Sequence, residues 1–101
     1  MSVIVAVKVP GDTGVFTKSL EERAEEYRKI AERAKAHGAL HHRFGVGDGY
    51  ILISDEWESA QEFESFFSDP ELREFMGTVG ADLSTPPQIT VGESIGSPDN
   101  F

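Results

Sequence analysis

The stretch Leu40–Phe67, LHHRFGVGDGYILISDEWESAQEFESFF, decides the fold. Two apolar runs flank Gly47-Asp48-Gly49, and the second passes through Trp57 straight into a segment opened by Ser59. An Asp-Gly pair between alternating runs is a strong hairpin signal, and a two-residue type I′ turn there makes Gly47 face Tyr50. The strands span about Ala39–Val46 and Tyr50–Trp57. Pairing then runs Val46–Ile51, Phe44–Ile53, His42–Asp55 and Leu40–Trp57, an apolar face carrying one His–Asp pair. A three-residue turn would instead set His42 opposite Ser54. Ser59-x-x-Glu62 is a capping box, and the helix behind it carries Phe63, Phe66 and Phe67 on one side.

Outward from this unit, Val3–Val9 is β-branched and almost wholly apolar, as expected of an interior strand buried on both faces. Pro10-Gly11-Asp12 ends it. A 3.6-residue periodicity follows in Phe16, Leu20, Ala24, Tyr27, Ala31 and Ala34. Its start is open between an Asp12 cap and a capping box at Ser19-x-x-Glu22. Gly38, behind Lys35 and His37, is the expected stop. On the C-terminal side Asp69-Pro70 restarts the second helix, with Leu72, Phe75, Met76 and Val79 continuing its stripe until Gly77 and Gly80 dissolve it. A short strand, Gln88–Val91, follows Pro86-Pro87. The plan is β-α-β-β-α-β: an α+β, ferredoxin-like antiparallel sheet with both helices on one face. One domain spans residues 1–92, and 93–101 form a turn-rich tail.

Helices can cover only one sheet face. The other would leave an apolar patch of several hundred Å² in water, which soluble monomers rarely tolerate. A homodimer pairing sheet to sheet is the expected cover, all the more because a chain this short buries only roughly 60–68% of its unfolded surface. The tail ends in Phe101 after Pro98 and is expected to lie across the partner or the pocket mouth, or simply to fray.

Nine Lys+Arg against 18 Asp+Glu give a net charge of -9, which argues against nucleic acid or an anionic membrane as partner. No apolar run approaches the ~20 residues of a membrane span. Met1-Ser2-Val3 lacks the basic region of a signal peptide, and without cysteine the chain reads as cytoplasmic.

His42 and Asp55 are the candidate catalytic residues, because a carboxylate opposite an imidazole fixes its tautomer, as a general base or proton shuttle requires. The other reading is a structural cross-strand ion pair. Phe44, Trp57, Phe63, Phe66 and Phe67 are the candidate substrate-binding residues, in number enough for a pocket lining as well as a core. Tyr27 and Tyr50 each have a hydroxyl to offer that pocket, but nothing in the sequence orients them. His41 and His42 point to opposite faces, and with His37 at a helix end no metal site is expected. No cofactor is expected either.

Leu52-Ile53-Ser54-Asp55-Glu56-Trp57-Glu58-Ser59, followed by Phe63 and Phe66-Phe67, resembles the strand-to-helix junction of the dimeric α/β-barrel superfamily, and within it the small antibiotic-biosynthesis-monooxygenase-like domains. The resemblance implies two domains paired sheet to sheet into a barrel, with a pocket between each sheet and its own helices. It also implies residues that are missing here. Quinol-oxidising members carry a His on the second helix where this chain has Phe66. Haem-degrading members need an Asn on the first strand, a Trp on the second helix and a His beyond it. This chain has no such Asn, Phe66 at the Trp position and Leu72-Arg73-Glu74-Phe75-Met76 beyond, which argues against haem degradation. Two functions are therefore expected. One is a small-molecule enzyme taking an apolar or aromatic substrate through cofactor-independent oxidation or isomerisation. The other is a non-catalytic ligand-binding or accessory homodimer. An open apolar cavity with His42 in its wall favours the first, a sealed core around His42 the second.

Overall fold

A computed structural model describes residues 2–101. The strands are β1 (Val3–Pro10), β2 (Ala39–Gly47), β3 (Tyr50–Trp57) and β4 (Gln88–Glu93). The helices are α1 (Thr13–Glu22), α2 (Ala24–Ala36), α3 (Ala60–Phe67) and α4 (Pro70–Thr78). The sheet order is β2-β3-β1-β4 with every pair antiparallel. This is the ferredoxin-like plan with each of its two helices broken in two.

Both breaks have local causes. Asp12 caps α1 by accepting from the Val15 amide, so the early start wins over the Ser19 box. That helix ends at Arg23, whose backbone (φ -122, ψ 32) leaves the helical region before α2 begins. In the second arm Ser59 accepts from the Glu62 amide, and Asp69 accepts from the Glu71 amide with Pro70 in the first turn. Gly77 does not end the last helix, which runs on to Thr78. Termination falls to Gly80 at φ 104, where an added Cβ would stand 2.7 Å from the Asp12 carbonyl oxygen. The Asp12 amide bonds Gly80 O at 2.8 Å, tying the loop after β1 to the loop after α4.

The hairpin turn asks for less glycine than a type I′ turn. Asp48 keeps a negative φ and only Gly49 is positive, at 80°, the signature of a type II turn, which needs glycine at one position rather than two. The register expected for a two-residue turn holds all the same through Gly47–Tyr50, Val46–Ile51, Phe44–Ile53 and His42–Asp55. It fails at the far end. A bulge between Ala39 and His41 puts Ala39, not Leu40, opposite Trp57, and Leu40 turns outward.

One face of the sheet builds the core. Val3, Val5, Val7 and Val9 from β1, with Ile51, Ile53 and Trp57 from β3, pack under Phe16, Phe63, Phe66, Leu72 and Val79. Each such side chain contributes about 1.5–3 kcal/mol of burial free energy. The expectation that β1 is buried on both faces is not met within one subunit. Its alternate residues are exposed, and Ile4 and Leu52 stand 53% and 41% open on the uncovered face. That face is less apolar than expected. Lys8 lies over the Tyr50 ring at 4.3 Å, Arg43 faces Ser54 and His41 faces Glu56. No described helix is long and apolar enough to cross a membrane. β4 runs two residues past its expected end, and the Ser94 amide bonds Ser2 O at 3.0 Å.

Candidate functional site

Hairpin register carries His42 and Asp55 to the helix-covered face, directly opposite each other. Their contact is short, His42 Nδ1 to Asp55 Oδ1 at 2.6 Å. Asp55's other oxygen accepts from the indole N–H of Trp57 at 3.0 Å. The carboxylate side chain is only 8% exposed. A buried carboxylate with no donors is costly to keep ionised, and here both oxygens are met. With Nδ1 turned to the carboxylate, Nε2 is the ring nitrogen left for other partners. The imidazole stands edge-on to Phe44 at 4.5 Å and is 44% exposed, so it is reachable from solvent.

Beside this pair lies a cavity of about 180 Å³ between sheet and helices. All five aromatic candidates, Phe44, Trp57, Phe63, Phe66 and Phe67, line it, together with His42 and Asp55. Tyr27, Leu72, Phe75 and Met76 complete much of the opposite wall. The rings are packed edge to face: Phe16 on Phe44 at 5.0 Å, Tyr27 on Phe75 at 5.2 Å and Trp57 on Phe63 at 5.8 Å. Among the lining residues only Lys35, Leu40, His41 and His42 are exposed, which marks the mouth at the junction of α2 with β2. A dry engineered cavity of about 150 Å³ holds benzene, whereas drug-sized ligands fill about 300 Å³ or more. The space here suits one or two aromatic rings.

Two polar features of the wall escaped the sequence reading. The Trp57–Asp55 bond was open to it, since residues two apart on a strand share a face. The second is a chain from Tyr27 Oη to Ser19 Oγ at 2.7 Å and on to the Phe16 carbonyl at 2.5 Å. Eight residues apart, Ser19 and Tyr27 would stand two turns from each other on a straight helix, and they meet because the chain breaks at Arg23. Burial pushes the Tyr27 phenol up, outweighing its bond to Ser19 and the nearby Arg23 charge, and keeps it protonated. Tyr50 is on the uncovered face beneath Lys8 and is not part of the cavity wall. His37 caps its helix with Nδ1 2.8 Å from Arg33 O. Among the described residues no three His, Cys, Asp or Glu side chains come together to hold a metal ion. The tail lends nothing to the cavity, and Phe101 is fully exposed.

No protein-family model matches the chain, and no curated protein matches its sequence. Solved structures do match in fold. A monooxygenase from the ActVA-Orf6 gene of Streptomyces coelicolor, in complex with Nanaomycin D, superposes with a TM-score of 0.67 at 20% identity, over 99% of this chain and 93% of that one. A dimeric ferredoxin-like protein from an uncultured marine organism gives 0.63 at 15% identity, over 99% and 93%. SnoaB, a cofactor-independent oxygenase from Streptomyces nogalater, gives 0.57 at 9% identity over 98% of each. The chain has the fold of the antibiotic-biosynthesis monooxygenase-like ferredoxin-fold proteins.

Within that fold, this chain places Phe66 in the cavity wall, its ring 5.4 Å from that of Trp57. The polar groups of the wall are His42, Asp55, the Trp57 indole and the Tyr27 hydroxyl, with Lys35 at the mouth.

Proposed function

We propose that the protein is a cofactor-independent oxygenase or isomerase acting on a small hydroxylated aromatic molecule held between sheet and helices. The observation that carries this reading is the His42–Asp55–Trp57 chain at the wall of an open, aromatic-lined cavity. A sealed core around His42 would have favoured a purely structural pair, and His42 is instead half exposed.

Asp55 holds the Nδ1–H tautomer and so leaves the Nε2 lone pair to take a proton from a ring hydroxyl. The aryloxide that results is itself the electron donor, so the ring asks for no redox group from the protein. Its charge spreads to the ring carbon para to the oxygen. Dioxygen adds there as a hydroperoxide, which loses water to leave a carbonyl. One oxygen atom enters the product and the other leaves as water. Return of the proton to a different carbon, without dioxygen, would be an isomerisation. The apolar wall excludes water and strengthens the few polar contacts within it.

The working unit is a homodimer with the uncovered sheet faces packed together. Support comes from exposed Ile4 and Leu52 on that face and from the total accessible surface of 6707 Å². A folded monomer of this mass exposes about 5,700 Å², and the excess is of the order that one partner buries in a standard interface. The marine neighbour is described as dimeric.

A two-ring probe tests the function. With 1,8-dihydroxynaphthalene, dioxygen uptake should match formation of 5-hydroxy-1,4-naphthoquinone one to one. His42→Ala should slow the reaction by about 100-fold or more while quenching of Trp57 fluorescence by the probe persists. Binding without turnover in the unaltered protein would leave the ligand-binding homodimer as the reading.

A further inference from the structure

Behind the cavity wall stands a further polar side chain, bonded to the lining residue Tyr27, whose hydrogen can be accounted for. Ser19 is buried within α1, 2.5 Å from the Phe16 carbonyl oxygen and 2.7 Å from the Tyr27 hydroxyl. A serine has one hydrogen to give, and a carbonyl oxygen can only accept. At 2.5 Å that hydrogen must lie between Ser19 and Phe16, because two oxygens without it would repel. Ser19 Oγ is then an acceptor toward Tyr27, and the phenol donates to it. Whatever else meets the Tyr27 oxygen meets lone pairs.

We propose that Tyr27 is a specificity-determining residue, fixed by Ser19 as a hydrogen-bond acceptor that reads a hydroxyl donor on the ligand at a point remote from His42. The inference rests on the cavity being the ligand site. Phe44 lies between the two groups, edge-on to His42 at 4.5 Å and to Tyr27 at 6.0 Å. Both rings line the cavity and both pack on Phe44, so a planar ligand lying against Phe44 meets His42 and Tyr27 together. Asp55 and the Trp57 N–H satisfy each other, and Lys35 at the mouth is paired with Glu32 at 3.4 Å, so neither offsets this demand for donors. A ligand with an ether or carbonyl at the remote point would set oxygen against oxygen.

Three naphthalenes of one shape separate the possibilities: 2-naphthol, 2,6-dihydroxynaphthalene and 6-methoxy-2-naphthol, each titrated by Trp57 fluorescence. The diol should bind about five- to tenfold more tightly than the methoxy ether, the worth of one neutral hydrogen bond against an unpaired acceptor. Tyr27→Phe should erase that ratio and leave 2-naphthol within about twofold. Ser19→Ala frees the phenolic hydrogen to turn to the ligand, so the ether should gain on the diol, a change that a merely structural role would not produce. Equal binding of diol and ether by the unaltered protein overturns the assignment while the cavity still stands as the site. So does a loss common to all three ligands in Tyr27→Phe. If none of the three perturbs Trp57, the site reading falls as well.

Discussion

At the scale of single residues the question is what Asp55 does for His42. Asparagine is nearly the same shape, but it has one acceptor oxygen and one amide nitrogen. It cannot accept from both His42 Nδ1 and the Trp57 N–H, as Asp55 is placed to do. If its oxygen stays with Trp57, its NH₂ faces Nδ1 and imposes the Nε2–H tautomer, which has no lone pair where a proton must be taken. Asp55→Asn should therefore cut turnover of 1,8-dihydroxynaphthalene by about 100-fold or more with little change in binding. The imidazole ¹⁵N shifts should report the exchanged tautomer. Full activity in this variant would remove Asp55 from the chemistry. The pair was legible in the sequence because strand periodicity and a two-residue turn leave His42 one partner. The Tyr27–Ser19 contact was not, since it depends on a helix break that no proline or glycine announces.

At the scale of elements, stability rests on caps and turns that local chemistry sets. Ser59 Oγ accepts from the Glu62 amide and donates to its carboxylate at 3.0 Å, at the point where β3 hands over to the helix carrying Phe63 and Phe66. Ser59→Ala should cost about 1 kcal/mol in chemical denaturation. It should also loosen the cavity wall, so probe affinity should fall alongside stability. A wild-type midpoint would show that packing of Phe63 and Phe66 alone holds the helix start. Gly80→Ala tests a different constraint, since alanine meets both a φ of 104° and the Asp12 carbonyl. That substitution should cost more than the cap does, of order 1–3 kcal/mol. The Ser59 cap, the Gly38 stop and the Asp69-Pro70 restart were readable because each is written in one or two residues. The bulge at Leu40 was not, because no residue there has a backbone preference that announces it.

At the scale of the whole molecule, the sequence reading overstated how apolar the uncovered sheet face is. Alternation in Val3–Val9 and Tyr50–Trp57 reveals two faces. It does not say that Lys8, Arg43 and Glu56 from three strands converge on the uncovered one. That mixture makes the dimer testable with one substitution. Leu52 is directly opposite Lys8 in the β1–β3 pairing, on the uncovered face. In a free subunit, Leu52→Glu sets a carboxylate beside that ammonium in water, a cross-strand pair of opposite charge that the fold accommodates. Between two packed sheets the same carboxylate would be withdrawn from water in both subunits at once, and Lys8, already resting over Tyr50, would have to serve it in a dry interface. The unaltered protein should therefore sediment at micromolar concentration at about twice 11.1 kDa, and Leu52→Glu at the single-chain mass with an unchanged circular dichroism spectrum. A variant that stays dimeric would place the interface elsewhere than on the sheet. A variant that unfolds on dissociating would show that the subunit does not stand alone, in keeping with the surplus surface it exposes.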